Sequence, residues 1–476
     1  MIMNKLQHNT VRVLSSVLSA AMISICTMWV APASVQASQS QTQLAREIPI
    51  EVSIEGSIPE WSTTPFVLNG TTYVPLRETA QLLGATIRWN TANRASELNI
   101  HGDIILHRPG TAVFDVNGYK LQAPSVSLTR QGTTMVPLKS LADALKATVK
   151  YTTQPVKTID ISQDPVSMLT KETEDVDNYL KTQGYSGMVL VAKNGEVLLR
   201  KGYGYGDEYK LNRPDKETRI ASLTKSFTAA AIMKLTEEGK LRLDDTLETY
   251  VPGFPGGKEI TLHMLLSHTS GAPANFTRTK GMTLQQTVDE LKKKNLDFKP
   301  GTDFKYSNGG YVLLAYIIEH TSGTSYGEYL NQSFISPLGM THTGEATPTK
   351  NITKGYVESK GQWKLADYYV SQSGTGTLYS TVDDLLKWDN ALNTEQLLSQ
   401  ESLEQMFTPY SSKNYGYGWM IKNLDGDKIV FHNGSGTGYS TGLSREPDGG
   451  ITIILLGNHA GMDMLNLLDG VRDNVH

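Results

Sequence analysis

The chain has 476 residues, 39% of them hydrophobic and 19% charged, enough apolar material for roughly two to four packed domains. Lysine and arginine number 44 against 48 aspartates and glutamates, a net charge of −4, which argues against nucleic acid or an anionic membrane as the main partner. Residues 1–37 read as a secretory signal: Lys5 and Arg12 precede a mainly apolar run from Val13 to Val30, and Val35-Gln36-Ala37 offers small residues for cleavage. The rival reading is an uncleaved membrane anchor, against which stand the serines in that run. Cys26 is the only cysteine, and Ile23-Ser24-Ile25 lacks the small residue expected just ahead of a lipidated one. A cleaved chain therefore has no disulfides, no cysteine–zinc site and no thiol catalysis. No later segment is apolar enough to span a bilayer.

After a polar lead comes an internal repeat. Gly70-Thr-Thr-Tyr-Val-Pro-Leu-Arg77 is followed by a helix-like Glu78–Leu83 and a strand-like Ala85–Trp89. Gly132-Thr-Thr-Met-Val-Pro-Leu-Lys139 is followed by Ser140–Leu145 and Ala147–Tyr151. The repeat resembles the stalk-type module named after the N-terminal domain of copper amine oxidases, over residues 48–162. The resemblance implies a small α+β spacer or wall-associating domain of a secreted Gram-positive protein. Copper favours imidazole or sulfur, and only His101 and His107 are on offer, so both are read as satisfied surface histidines.

Ile161 to Ser167 reads as a linker, and the pattern changes from residue 170. A helix is expected at Glu172–Lys181, then strands at Gly187–Ala192 and Val197–Lys201 around a turn at Asn194-Gly195. Helices are expected at Leu223–Glu238, Tyr311–Thr321 and Val382–Leu392, then a strand at Ile451–Leu456 and a last helix from about Met462. Strands at both ends with helices between them predict an α+β domain over 170–476, whose termini meet in one antiparallel sheet.

Ser222-Leu-Thr-Lys225 is the chain's only Ser-x-x-Lys. It opens a run apolar nearly all round, the mark of a buried helix. A lysine three residues after a serine shares its helix face, and burial favours the neutral amine that can take the serine's proton. Tyr306-Ser307-Asn308 supplies a phenol, whose pKa should fall beside a cationic lysine, and an amide. Phe431-His432-Asn433-Gly434-Ser435 lies before a strand-like run, where glycine lets backbone come close. Each of the last two motifs alone reads as ordinary loop.

Taken in order, Ser222-x-x-Lys225, Tyr306-Ser307-Asn308 and His432-Asn433-Gly434 resemble the three-motif set of class C β-lactamases, D-alanyl-D-alanine carboxypeptidases and related esterases. Leu265-Leu-Ser-His-Thr-Ser-Gly271 and Pro337-Leu-Gly-Met340 also fit. The resemblance implies a serine β-lactamase/penicillin-binding-protein-like fold, an antiparallel sheet flanked by helices plus a helical subdomain. It implies that Ser222 attacks a carbonyl, Lys225 and Tyr306 exchange the proton, and Asn308 binds the substrate's amide. His432, Gly434 and Ser435 line the substrate, and the Ser222 and Ser435 N–H groups form the oxyanion hole. His432 stands where many members have lysine, which puts a strict β-lactamase assignment in doubt.

The resulting expectation is a secreted hydrolase, associated with the cell wall through its repeat module and needing no metal or cofactor. It would act on a D-alanyl peptide of a peptidoglycan stem, a β-lactam, or a small ester or amide. The alternative is a catalytically silent wall-binding or penicillin-sensing module. His263 and His268, five apart, are read as structural, the glycines of 202–206 and 434–438 as strand ends, and Arg445 as a solvated turn residue or a reader of substrate carboxylate.

Overall fold

The computed structural model describes residues 47–152, 158–163, 167–207, 210–277, 279–367, 374–424, 426–447 and 450–475; the signal-like segment lies outside them. In the repeat module, the two copies meet as antiparallel strands Thr71–Pro75 and Thr133–Pro137, with Val74 opposite Val136. Each strand ends on proline, which has no N–H to give a ladder but suits the start of a helix. Helices Leu76–Leu82 and Leu138–Ala144 therefore begin directly, two residues before the expected starts. Between the copies runs a five-stranded antiparallel meander from Thr86 to Gln122. Val74, Leu98, Ile105, Phe114, Val136 and Leu141 are among the residues that fill the core.

Two expectations for this region are corrected. His107 is fully buried rather than on the surface, with Nδ1 2.9 Å from the Val113 carbonyl and Nε2 2.8 Å from Ser127 Oγ. With both nitrogens engaged and His101 in an exposed turn, these residues do not fit a copper ion. The linker is also shorter than expected: Ile161 and Ser162 belong to strand Thr158–Ser162, which pairs in parallel with Glu51–Ile54.

The larger domain is built on a seven-stranded antiparallel sheet. Its strands are β1 (Met168–Leu169), β2 (Gly187–Lys193), β3 (Glu196–Tyr203), β4 (Met420–Leu424), β5 (Asp427–Gly436), β6 (Tyr439–Arg445) and β7 (Ile451–Gly457), in spatial order β1-β3-β2-β7-β6-β5-β4. Strands β2 and β7, from the two ends of the domain, thus pair at the centre of the sheet, as the sequence pattern predicts. Successive side chains of a strand face opposite ways, so Met188, Leu190 and Ala192 join one core while Val189 and Val191 join another. Both faces are covered, which is why β2 and β7 read as unbroken apolar runs.

Helices α1 (Glu174–Thr182) and α5 (Met464–Asp473) cover one face through Val176, Leu180, Leu467, Leu468 and Val471. On the other pack α2 (Thr224–Glu237), α3 (Asn308–Ser322) and α4 (Val382–Ala391). Helix α2 is buried on every side, Phe227 stacking on Trp388 of α4 at 4.0 Å between ring centres. Arg445 is a third correction: 1% exposed, its Nε lies 2.6 Å from Asp389 Oδ1, so it ties β6 to α4 instead of facing solvent or substrate.

The module and the sheet domain are joined by buried charge. Lys201 Nζ of β3 lies 2.8 Å from Asp103 Oδ1 of the module and 2.9 Å from Asp177 Oδ1 of α1. Lys146 Nζ reaches Asp103 Oδ2 at 2.8 Å and the Gly202 carbonyl at 2.9 Å. Burial alone would push the Asp103 carboxyl up, but the two ammonium groups hold it well below the usual carboxylate range.

Candidate active site

Ser222 sits in a single 3-10 turn, Ala221–Leu223, that runs straight into α2. Ala221 is held at φ +47°, a strained conformation for a residue with a Cβ. From Ile220 to Met233 every residue is buried except Ser222, which is partly exposed. The turn thus lifts one hydroxyl out of an otherwise closed core.

The helical spacing brings Lys225 back beneath it. Lys225 is fully buried, and its Nζ lies 3.2 Å from Ser222 Oγ, 3.0 Å from Asn308 Oδ1 and 3.2 Å from the Thr375 carbonyl. Three acceptors match the three N–H groups of an ammonium. A neutral amine would keep the bonds to Asn308 and Thr375 and turn its lone pair to the Ser222 hydroxyl. One geometry therefore serves both ends of a proton transfer from Ser222 to Lys225.

Tyr306 comes to the same place from just ahead of α3, whose N-terminus is capped by Ser307 Oγ accepting from Gly310 N. Lys225 Nζ lies 4.7 Å from the centre of its ring. The expected fall in the phenol's pKa is not found: burial pushes it well up, and the Ser222 hydroxyl draws it back only in part. Burial outweighs the favourable contact, so desolvation decides. Tyr306 is half-buried as a residue, but its Oη is shut from solvent, beside the Ser222 hydroxyl. It is a phenol held neutral beside the nucleophile.

The third motif lies where the sheet opens. Strand β4 pairs with β5 only as far as Phe431, whereas β6 follows β5 to Gly436. From His432 to Gly436 one edge of β5 is thus free to meet the Ser222 turn. A Cβ on Gly434 would stand 2.9 Å from Ser222 N and 3.0 Å from Ala221 Cβ, so only glycine allows this approach. Thr441 of β6, opposite Gly434, donates from Oγ1 to the Ile220 carbonyl at 2.9 Å and pins the turn to the sheet. Ser435, next along the free edge, is exposed.

His432 is 1% exposed, with Nδ1 2.6 Å from the Asn433 carbonyl and Nε2 3.0 Å from Tyr415 Oη. A carbonyl only accepts, so Nδ1 carries the proton and Nε2 accepts from the tyrosine. Burial and the Lys225 charge push the imidazole pKa down to about 3. His432 is thus neutral, and both its nitrogens are engaged.

The structure thus brings Ser222, Lys225, Tyr306, Asn308, His432 and Gly434 around one point. Sequence reasoning missed the Thr375 carbonyl, Thr441 and Tyr415. Flanking glycines in Gly374-Thr-Gly376 and Tyr415-Gly-Tyr-Gly418 were the available signal for two of them.

Comparison with known proteins shows the family and the fold. Residues 173–473 match the family model described as Beta-lactamase, and residues 53–159 match the Copper amine oxidase N-terminal domain. The chain belongs to the beta-lactamase family. It is 36% identical over 287 residues to the putative penicillin-binding protein PbpX of Bacillus subtilis (strain 168), covering 58% of this chain and 69% of that protein. The octameric penicillin-binding protein homologue from Pyrococcus abyssi superposes with a TM-score of 0.55 at 32% identity, over 63% of this chain and 77% of that one. The D-amino acid amidase from Ochrobactrum anthropi SV3 gives a TM-score of 0.59 at 25% identity, over 64% and 99%. Family membership and the assembled Ser222–Lys225–Tyr306 set make this beta-lactamase-family chain a serine hydrolase. No helix among the described residues is long and apolar enough to cross a membrane.

Proposed function

We propose that the protein is a secreted hydrolase that forms an acyl-enzyme on Ser222 and prefers small neutral esters and amides, including amides of D-amino acids. The observation that carries this reading is the Lys225 Nζ to Ser222 Oγ contact of 3.2 Å. In this mechanism Lys225 takes the Ser222 proton as Oγ attacks the substrate carbonyl, and the Ser222 and Ser435 N–H groups hold the resulting oxyanion. Tyr306, a neutral phenol, passes its proton to the leaving group and regains one from the Lys225 ammonium. Water then releases the acyl group by the reverse path.

The preference for neutral substrates is supported by His432, which brings no positive charge to where a substrate carboxylate would lie. D-Alanyl peptides and β-lactams, which carry that carboxylate, are then weaker substrates. The D-amino acid amidase named above has the same overall fold. Association with the cell wall through residues 48–162 is part of the proposal.

The test is intact-mass spectrometry of the protein after exposure to a fluorophosphonate, a penicillin and a p-nitrophenyl ester. One adduct on Ser222, abolished in a folded Ser222→Ala variant, is expected. Full-stoichiometry labelling of that variant would falsify the nucleophile assignment.

A further inference from the structure

His268 lies two residues past the short helix Leu262–Leu266 and takes no part in the chemistry described above. It is 1% exposed, and its backbone is held at φ +61°, a strained conformation for a residue with a Cβ. Its hydrogen bonds show what holds it there. The Lys305 N–H donates to the His268 carbonyl at 3.1 Å, and the Ser307 N–H donates to His268 Nδ1 at 3.0 Å. The residue between these two donors is Tyr306, and the imidazole packs on its ring with centres 4.4 Å apart.

One histidine thus grips the chain on both sides of Tyr306 and supports the phenol from beneath. Because Nδ1 accepts from a peptide N–H, a neutral ring must carry its proton on Nε2, and an imidazolium would set two donors against each other. Burial, the Lys225 charge and His432 also push its pKa well below the usual histidine range. Nε2 has no hydrogen-bond partner among the described residues, and the rings of Tyr306, Tyr311 and Tyr415 lie within 4.9 Å, centre to centre.

We propose that His268 is a positioning residue for Tyr306, setting where the phenol stands relative to Ser222 through its carbonyl, its Nδ1 and its ring face. The proposal rests on the reading of Ser222 as nucleophile and of Tyr306 as its proton partner. A misplacement of about 1 Å in a reacting group costs on the order of a hundredfold in rate, so loss of this grip is read in kinetics.

The experiment is a double-mutant cycle on the full-length mature chain, reading the rate of labelling by a fluorophosphonate. Glycine accepts a positive φ but removes the acceptor and the ring; asparagine tolerates the conformation and keeps an acceptor near the Nδ1 position. His268→Gly should slow labelling by about ten- to a hundredfold, and His268→Asn should remain within about tenfold of wild type. In a Tyr306→Phe background, His268→Gly should change the rate by less than about threefold, since the group it positions is gone. Equal slowing by His268→Gly in both backgrounds overturns the proposal. Should His268→Gly fail to fold, the asparagine variant decides: a folded protein slower than about tenfold overturns it, and one within that range supports it. A Ser222→Ala control that still labels would instead count against the acyl-enzyme reading, so the two failures are distinguishable.

Discussion

A Cβ placed on Gly434 would lie 2.9 Å from the amide nitrogen of Ser222, so the free edge of β5 runs against the nucleophile's own backbone. Gly434→Ala should push the strand away from the turn and spoil the placement of the oxyanion donors. Loss of one such donor costs on the order of a hundredfold or more. Labelling of Ser222 should slow by about that factor while circular dichroism stays unchanged. A variant that labels at the wild-type rate would show that the oxyanion site does not depend on this approach.

Lys225→Ala and Tyr306→Phe should each slow ester turnover by on the order of a hundredfold or more, as expected of positioned acid–base groups. Lys225→Ala also leaves Asn308 Oδ1 and the Thr375 carbonyl without their shared donor. It should therefore lower thermal stability as well, whereas Tyr306→Phe removes a single hydroxyl and should cost less. Near-normal turnover in both variants would sink the proton path.

His432 predicts an absence of pH response in recognition. With the imidazole pKa at about 3, the preference for an esterified over a carboxylated inhibitor should not change between pH 5 and 8 in wild type. His432→Lys should shift it toward the carboxylated analogue. A wild-type preference that titrates near pH 6.5 would show the imidazole to be charged after all.

Stability should respond to acid even though recognition does not. The folded protein keeps His432 neutral, while the unfolded chain takes up a proton below about 6.5. Stability from this group is therefore present above about 6.5 and lost as pH falls towards about 3, by on the order of 1.4 kcal/mol per pH unit. His459, pushed down to about 4 by burial, acts in the same sense. Glu345, pushed up to about 7 by burial, acts in the opposite sense between 4.5 and 7. Urea unfolding of wild type and His432→Gln at pH 5 and 7 checks this. The variant should lose less stability between the two pH values, and equal losses would count against a neutral buried His432.

The junction between repeat module and hydrolase domain predicts coupled stability. Asp103 lies within 2.8 Å of both Lys146 Nζ and Lys201 Nζ, and the side chains of all three are less than a tenth exposed. Removing one member of a buried charge network costs on the order of 3–5 kcal/mol, because the partners' charge stays buried. Asp103→Ala should lower stability by about that much and destabilise the hydrolase domain although the substitution lies in the module. A chain cut to begin near residue 168 would leave Lys201 without Asp103, and should be less stable than the whole. A truncated protein with an unchanged melting temperature would mean the two parts are energetically independent.

What the sequence by itself determined is what local geometry carries. The Ser222-x-x-Lys225 spacing fixes a shared face one helical turn apart. The proline-ended copies at 70–77 and 132–139 announce a repeat, and the apolar runs of β2 and β7 announce strands buried on both faces. What only the tertiary structure decided depends on groups far apart in the chain. The phenol of Tyr306 is pushed up rather than down because packing shuts its oxygen from water. His432 is neutral because its buried position and the Lys225 charge oppose protonation. His268 grips both neighbours of Tyr306 through contacts that no periodicity in the intervening chain encodes. Spacing along a helix or strand sets which residues share a face; desolvation and distant partners set their charge, and those exist only once the chain has packed.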